Sequence, residues 1–300
     1  MDELLSYGLL TFATLALPSL GLCLAIKVTK YFNLTYGDII TAGAFLALLF
    51  NLSFGINLVW ALIISMALTA LLGVILHKLI FKPLMDINVG ALTLLVISLG
   101  AGFILRNLIL IAWGPQPFQF VMPLARAKHI GPFFLTPIQI ILILVSILVA
   151  MGVFWMLQYT QLGRLMRATS DNRELSKIRG ISVERVYVYT WIIACALAAL
   201  GGVFMGILGT IRSGMGMGVL VTIFACLIVG GINNPYGAVF GALIIAFTME
   251  ATATWLSPPY KMLSAYLLMV IILLVKPSGL LGGEKIQWKY FLGFLRSRQS

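Results

Sequence analysis

Residues 136–158 read TPIQIILILVSILVAMGVFWMLQ, with no ionisable side chain from end to end. A helix that crosses the hydrocarbon core of a bilayer needs about 20 predominantly apolar residues, within a range of about 17–25. This run has that length, and it is one of a series. Other apolar stretches cover residues 7–28, 36–52, 56–77 and 89–112 before it, and 186–210, 218–231, 236–255 and 262–276 after it. Most are long enough to span. The pair 218–231 and 236–255 leaves the count open, because its first member is short and Gly230-Gly231-Ile232-Asn233-Asn234-Pro235 breaks the run. Two crossings joined by a tight turn fit this pattern, and so does one crossing with a re-entrant piece. The expected fold is therefore all-α: a polytopic membrane protein with eight or nine transmembrane helices, residues 1–300 forming a single membrane domain.

Composition agrees with lipid as the main solvent. The 300 residues are 61% hydrophobic and 10% charged, against about 25% charged in soluble domains. A cytosolic enzyme, a secreted module and a disordered regulator are excluded. A net charge of +11 would point to nucleic acid in a soluble protein. No basic stripe with interleaved aromatics occurs, and the positive-inside bias of membrane loops accounts for the charge. Cys23, Cys195 and Cys226 lie in apolar stretches without a CxxC spacing, so buried small hydrophobes are expected rather than disulfides or a metal site. The start, MDELLSYG, holds Asp2 and Glu3 but no base. The first apolar run is thus expected to be a retained span and not a cleaved signal.

Loop charge sets the expected orientation. With the N-terminus outside and nine crossings, the inner side collects Lys27, Lys30, Lys78, Lys82, Arg164, Arg167, Arg173, Lys177, Arg179, Arg185, Lys276, Lys285, Lys289, Arg296 and Arg298. The outer side collects Arg126, Lys128, Arg212 and Lys261, and Arg106 stays within the membrane. The expectation is N-out and C-in. Two long connections result: a proline-containing outer one at 113–135, read as a cap or a connector, and a polar inner one at 159–185.

The inner connection includes RLMRATSDNRELSKIRGISVER at 164–185. Asp171 with Glu174 three residues on resembles a capping box. Leu175 and Ile178 share a face, Gly180 is a stop, and Ser182 offers a cap for the next span. A helix over about 172–179 follows, with an apolar ridge flanked by Arg173, Lys177 and Arg179. Two roles fit it: an interfacial helix on anionic lipid, or a knob for a groove on a cytoplasmic partner.

Gly163-Arg164, Arg167-Ala168, Gly180-Ile181, Val183 and Arg185 resemble the cytoplasmic loop of the branched-chain amino acid ABC transporter permeases of the Liv type. The resemblance continues through Ala198–Val203, through Leu227–Ala242 and into Lys276–Gly282; Asn33, Tyr36-Gly37-Asp38 and Gly43-Ala44 look like the family's early element. It implies a transport subunit in the inner membrane of a prokaryote, with leucine, isoleucine and valine as substrates. It implies ATP-binding subunits, a second permease subunit in a homo- or heterodimer, and an extracytoplasmic substrate-binding protein as partners. It also makes the loop helix the coupling element, with Arg173, Glu174, Leu175, Ile178 and Gly180 as candidate contacts. Urea or other amide-type substrates are the alternative inside the family.

Ionisable groups at membrane depth are costly, by about 2.5–3.5 kcal/mol on insertion scales. Asp38, Arg106 and Glu250 are the candidates for the pathway. The bland readings are a helix-dipole partner for Asp38, snorkelling for Arg106 and interhelical ion pairs, with Asp38–Arg106 and Glu250–Arg106 both open. Asn233 and Asn234 in the glycine-flanked break are candidates for a polar lining or gate, since irregular backbone at membrane depth must be buried in protein or line water. Helix packing is the default reading of the glycines there. Asn33–Gly37 and Asn233–Gly237 share N-x-x-Y-G, a faint internal echo. No G-x-x-x-x-G-K-[ST], H-E-x-x-H or G-x-S-x-G occurs, and His77 and His129 are not at ligand spacing, so no cofactor, metal or catalytic residue is expected. A self-contained transporter or channel, using Asp38, Glu250 and Arg106 as ion sites, is the rival class.

Overall fold

In lipid a helix satisfies its own backbone groups, and each apolar run forms one in the computed structural model, which describes residues 2–87, 89–120, 128–130 and 133–282. The order is α1 (Asp2–Thr29), α2 (Thr35–Leu48), α3 (Leu58–Leu76), α4 (Lys82–Asp86), α5 (Ala91–Trp113), β1 (Lys128–Ile130), β2 (Phe133–Leu135) and α6 (Pro137–Tyr159). Then come α7 (Gln161–Asp171), α8 (Arg173–Ile178), α9 (Val183–Leu208), α10 (Met215–Gly230), α11 (Pro235–Trp255) and α12 (Lys261–Val275). Single π-helical turns, Leu49–Ser53 and His77–Phe81, extend α2 and lead into α4. The departures from an all-α fold among the described residues are the antiparallel β1–β2 hairpin, in the connection expected outside, and an isolated antiparallel bridge between Phe118 and Ile211. Arg126, Pro123 and Pro132 of that connection lie outside the described residues, as do Lys285, Lys289, Arg296 and Arg298 of the C-terminal end.

Among the described residues, eight helical stretches are long and apolar enough to cross a membrane. α10, with 16 residues, is about 24 Å long, short of the roughly 30 Å hydrocarbon core. Its start packs on the start of α2. The Gly216 N–H donates to the Thr41 hydroxyl at 3.0 Å, and a Cβ at Gly216 would lie 1.9 Å from the Gly37 carbonyl oxygen. The two helices therefore start at the same depth in the bundle.

α1 is the axis of the bundle, packed against α6, α9 and α11. Its Pro18 lacks an N–H and would crowd a neighbour; Gly201 of α9 leaves the space, since a Cβ there would fall 2.0 Å from the proline ring. α10 and α11 form a hairpin closed by glycine. Cβ atoms at Gly230 and Gly241 would lie 1.8 Å from the Gly237 carbonyl oxygen and 2.0 Å from the Cys226 carbonyl oxygen. Apolar helices gain little from hydrophobicity in lipid, so such backbone approach provides much of the packing attraction.

Gly241→Ala should therefore lower the thermal midpoint of the detergent-solubilised protein, by an amount equivalent to about 1–3 kcal/mol of overpacking. Gly218→Ala, where nothing lies within 4 Å, should leave it near wild type. Equal midpoints for the two variants would refute this account of the hairpin.

Candidate functional site

The polar connection after α6 is more ordered than its sequence suggests. Thr160 caps α7, accepting from the Gly163 N–H at 3.2 Å. Gly163, Met166 and Ser170 are buried on one face of α7, an amphipathic spacing within what the sequence pattern left as loop. The Arg167 guanidinium donates to the Leu157 carbonyl and ties α7 to the end of α6. Asn172, in extended conformation, ends α7 and caps α8 by accepting from the Leu175 N–H at 2.9 Å. The expected cap at Asp171 is thus displaced by one residue, because Asp171 is still helical as the last residue of α7.

α8 is held from beneath. The buried Ser176 hydroxyl donates to the Asn172 carbonyl at 2.8 Å and reaches the Ala168 carbonyl at 3.0 Å. Its upper side carries the expected ridge, with Leu175 46% and Ile178 82% exposed. Glu174 and Lys177 are exposed and 3.4 Å apart. Arg173 turns the other way, its guanidinium over the Tyr187 ring at 5.6 Å. Gly180 has φ +79°, a backbone region that glycine adopts without penalty. The Gly180 and Ile181 N–H groups close back on the Lys177 and Ser176 carbonyls, each at 3.0 Å. Ser182 does precede α9, but its side chain makes no capping hydrogen bond, contrary to the expected role.

Two charge pairs stand apart in the membrane region. Asp38, buried in the first turn of α2, accepts from Arg106 of α5: Nε to Oδ1 at 2.9 Å and Nη2 to Oδ2 at 3.3 Å. Gly102 makes room for the carboxylate, since a Cβ there would lie 2.5 Å from Oδ2. Of the two pairings left open by the sequence, this is the one formed. One turn along both helices is an apolar cavity of about 420 Å3 whose lining includes Ala42, Phe45, Leu72, Leu105 and Ile109. Glu250, buried in α11, pairs with Lys261 Nζ at 2.5 Å and accepts the Thr11 hydroxyl. Sequence reasoning missed both partners. In the sequence Lys261 reads as one of the outer bases, and the Pro258–Tyr260 turn just before it is the available signal.

The break between α10 and α11 is tied to the segment after α12. Asn234 caps α11, accepting from the Tyr236 N–H at 3.1 Å and donating to the Leu281 carbonyl at 3.0 Å. Asn233 is exposed. Leu280 and Leu281 N–H groups satisfy the Val229 and Gly230 carbonyls at 2.8 and 3.1 Å. The N-x-x-Y-G echo is out of step by one: Asn33 accepts from the Thr35 N–H at 3.0 Å, while the capping asparagine of the second copy is Asn234 and not Asn233.

The family described as "Branched-chain amino acid transport system / permease component" matches residues 4–273. The chain belongs to this family. It is similar to the high-affinity branched-chain amino acid transport system permease protein LivH of Escherichia coli K12, with 23% identity over 93% of this chain and 95% of that protein. It is 26% identical to the probable branched-chain amino acid transport permease protein LivH of Methanocaldococcus jannaschii, over 96% of this chain and 94% of that one. In fold it is similar to PsaBC from Streptococcus pneumoniae, solved in complex with a Fab, with a TM-score of 0.50 and 15% identity over 92% and 93% of the chains. As a member of this permease family, with eight helices able to span among the described residues, the protein is a multi-pass protein of the cytoplasmic membrane.

The Asp38–Arg106 pair makes a prediction of its own. Removing one partner of a buried pair strands the other charge, which is worse than removing both. Asp38→Ala should lower the detergent melting midpoint more than Asp38→Ala combined with Arg106→Leu. A double variant at least as unstable as the sum of the singles would show that the pair does not couple α2 to α5.

Proposed function

We propose that the chain is the membrane subunit of an ABC importer that carries branched-chain amino acids inward by alternating access, with N-out, C-in topology and residues 1–300 acting as one membrane domain. ATP hydrolysis is assigned to separate ATP-binding subunits, since the sequence has no phosphate cradle of its own. A second permease subunit and an extracytoplasmic binding protein complete the assembly. The observation that carries this reading is α8: a six-residue helix, fixed on α7 by Ser176 and ended by Gly180, that presents Leu175 and Ile178 to solvent. A helix inserted in a groove is read through such spaced apolar anchors. The rigid support below lets a push on α8 reach α7 and the start of α9 without being absorbed by loop motion.

In this reading Asp38 and Arg106 belong to the pathway. A branched-chain amino acid carries an ammonium, a carboxylate and a branched apolar side chain. The paired carboxylate and guanidinium, one turn from an apolar cavity, offer matching chemistry. Glu250 serves as an ion-paired joint between α1, α11 and α12, and Asn234 as a helix cap. This departs from the gate role expected of them from sequence.

Reconstitution with the cognate ATPase tests the coupling assignment. Ile178→Asp should abolish co-purification of the ATPase. Arg173→Ala combined with Glu174→Ala should cut transport-coupled ATP hydrolysis by about tenfold or more, while the permease elutes as wild type in size exclusion. Full coupling in both variants, or ion-gradient-driven leucine uptake by this chain alone in liposomes, would overturn the assignment.

A further inference from the structure

A cavity of about 570 Å3 lies beneath α8, between the start of the His77–Phe81 turn, α4 and the first turn of α9. His77 lines it. The imidazole is 1% exposed, packs edge-on to Tyr187 at 6.0 Å and at a tilt to Trp191 at 5.7 Å, and neither ring nitrogen has a hydrogen-bond partner. Buried polar atoms are almost always satisfied, so an exception calls for a missing partner. Arg173 Nε, also on this cavity, is buried and unsatisfied as well.

The charges around the cavity divide unevenly. Lys82 and Glu184 are paired at 2.5 Å and neutralise each other. Lys177 has only a loose, exposed partner in Glu174 at 3.4 Å, a pair that contributes little. Arg173, its guanidinium over the Tyr187 ring, and Lys177 therefore line the space with positive charge, opposed by the exposed Asp86. The N-terminus of the 26-residue α9 adds the positive end of a long helix dipole and first-turn N–H groups. Ser182, free of capping duty, adds a hydroxyl at the same end.

The geometry points to an anion site of the phosphate class in this cavity. Arg173 and Lys177 supply the charge, His77 and Ser182 supply donors, and the α9 N-terminus supplies backbone N–H groups. Carboxylate would satisfy fewer of these donors than a tetrahedral phosphate, which presents acceptors in several directions. Two sources share that chemistry: the phosphodiester of a lipid headgroup entering from the bilayer rim, and free inorganic phosphate. An occupant would bridge α8, α4 and α9, so binding would set how firmly α8 is seated. The inference does not depend on α8 docking an ATPase.

The sequence has two histidines, His77 and His129, so 15N-histidine labelling of the full chain gives a simple NMR readout, with the His77 signals assigned by their loss in His77→Gln. Titrating soluble short-chain phosphatidylglycerol, inorganic phosphate and acetate separately should shift the His77 signals saturably with at least one phosphate probe. Lys177→Gln and Ser182→Ala should each weaken the midpoint by about threefold to tenfold, with His129 unmoved. Response to the lipid alone assigns a headgroup, and response to both phosphate probes assigns phosphate generally. No saturable shift with either phosphate overturns the inference. So do equal midpoints in wild type and both variants, or a response confined to acetate, which would identify an acidic side chain of a partner protein as the occupant.

Discussion

Every backbone N–H and C=O at membrane depth needs a partner inside the protein, because lipid offers none. The long helices meet this demand by themselves, so the architecture is decided where helices stop. At the start of α2 the Leu34 N–H donates to the Ser98 hydroxyl at 3.0 Å, and the Thr35 hydroxyl donates to the Ser98 carbonyl at 2.5 Å. At the start of α10 the free Gly216 N–H finds Thr41. At the α10–α11 turn the segment after α12 returns to close the Val229 and Gly230 carbonyls. Each break is thus stitched to a segment distant in sequence, and the same stitches that satisfy the backbone also fix the helices against one another.

The glycines follow from that constraint. Where one backbone must donate to or approach another, a Cβ is in the way, and Gly37, Gly216, Gly230 and Gly241 each sit where added carbon would meet a neighbouring main chain. Close backbone approach then gives dispersion contact in a solvent that provides no hydrophobic drive between helices. Packing and backbone satisfaction are one solution, which is why the 16-residue α10 can be shorter than a full crossing and still be packed into the bundle.

This explains what could be read in the sequence. Residues 136–158 and their counterparts gave the helices to within a few residues, because apolar length is a local property. The ridge of Leu175 and Ile178 and the stop at Gly180 were legible for the same reason. The cap at Asn172 rather than Asp171 was not, because α7 continues one residue further through burial of its Gly163, Met166 and Ser170 face against the bundle. The partner of Asp38 was legible only as a possibility and those of Glu250 not at all: Arg106 is 68 positions from Asp38 and Thr11 is 239 from Glu250. Only tertiary packing brings such residues together.

The scarcity of charge then acquires a pattern. Within the spanning region the isolated candidates are neutralised in pairs, Asp38 by Arg106 and Glu250 by Lys261, as expected where an unpaired charge is costly. At the base-rich end the rule is relaxed: Arg173 Nε and both nitrogens of His77 are left without partners although they are buried. Both residues border the cavity beneath α8, beside Lys177. The membrane interior is closed electrostatically, and the α8 end is the face left open.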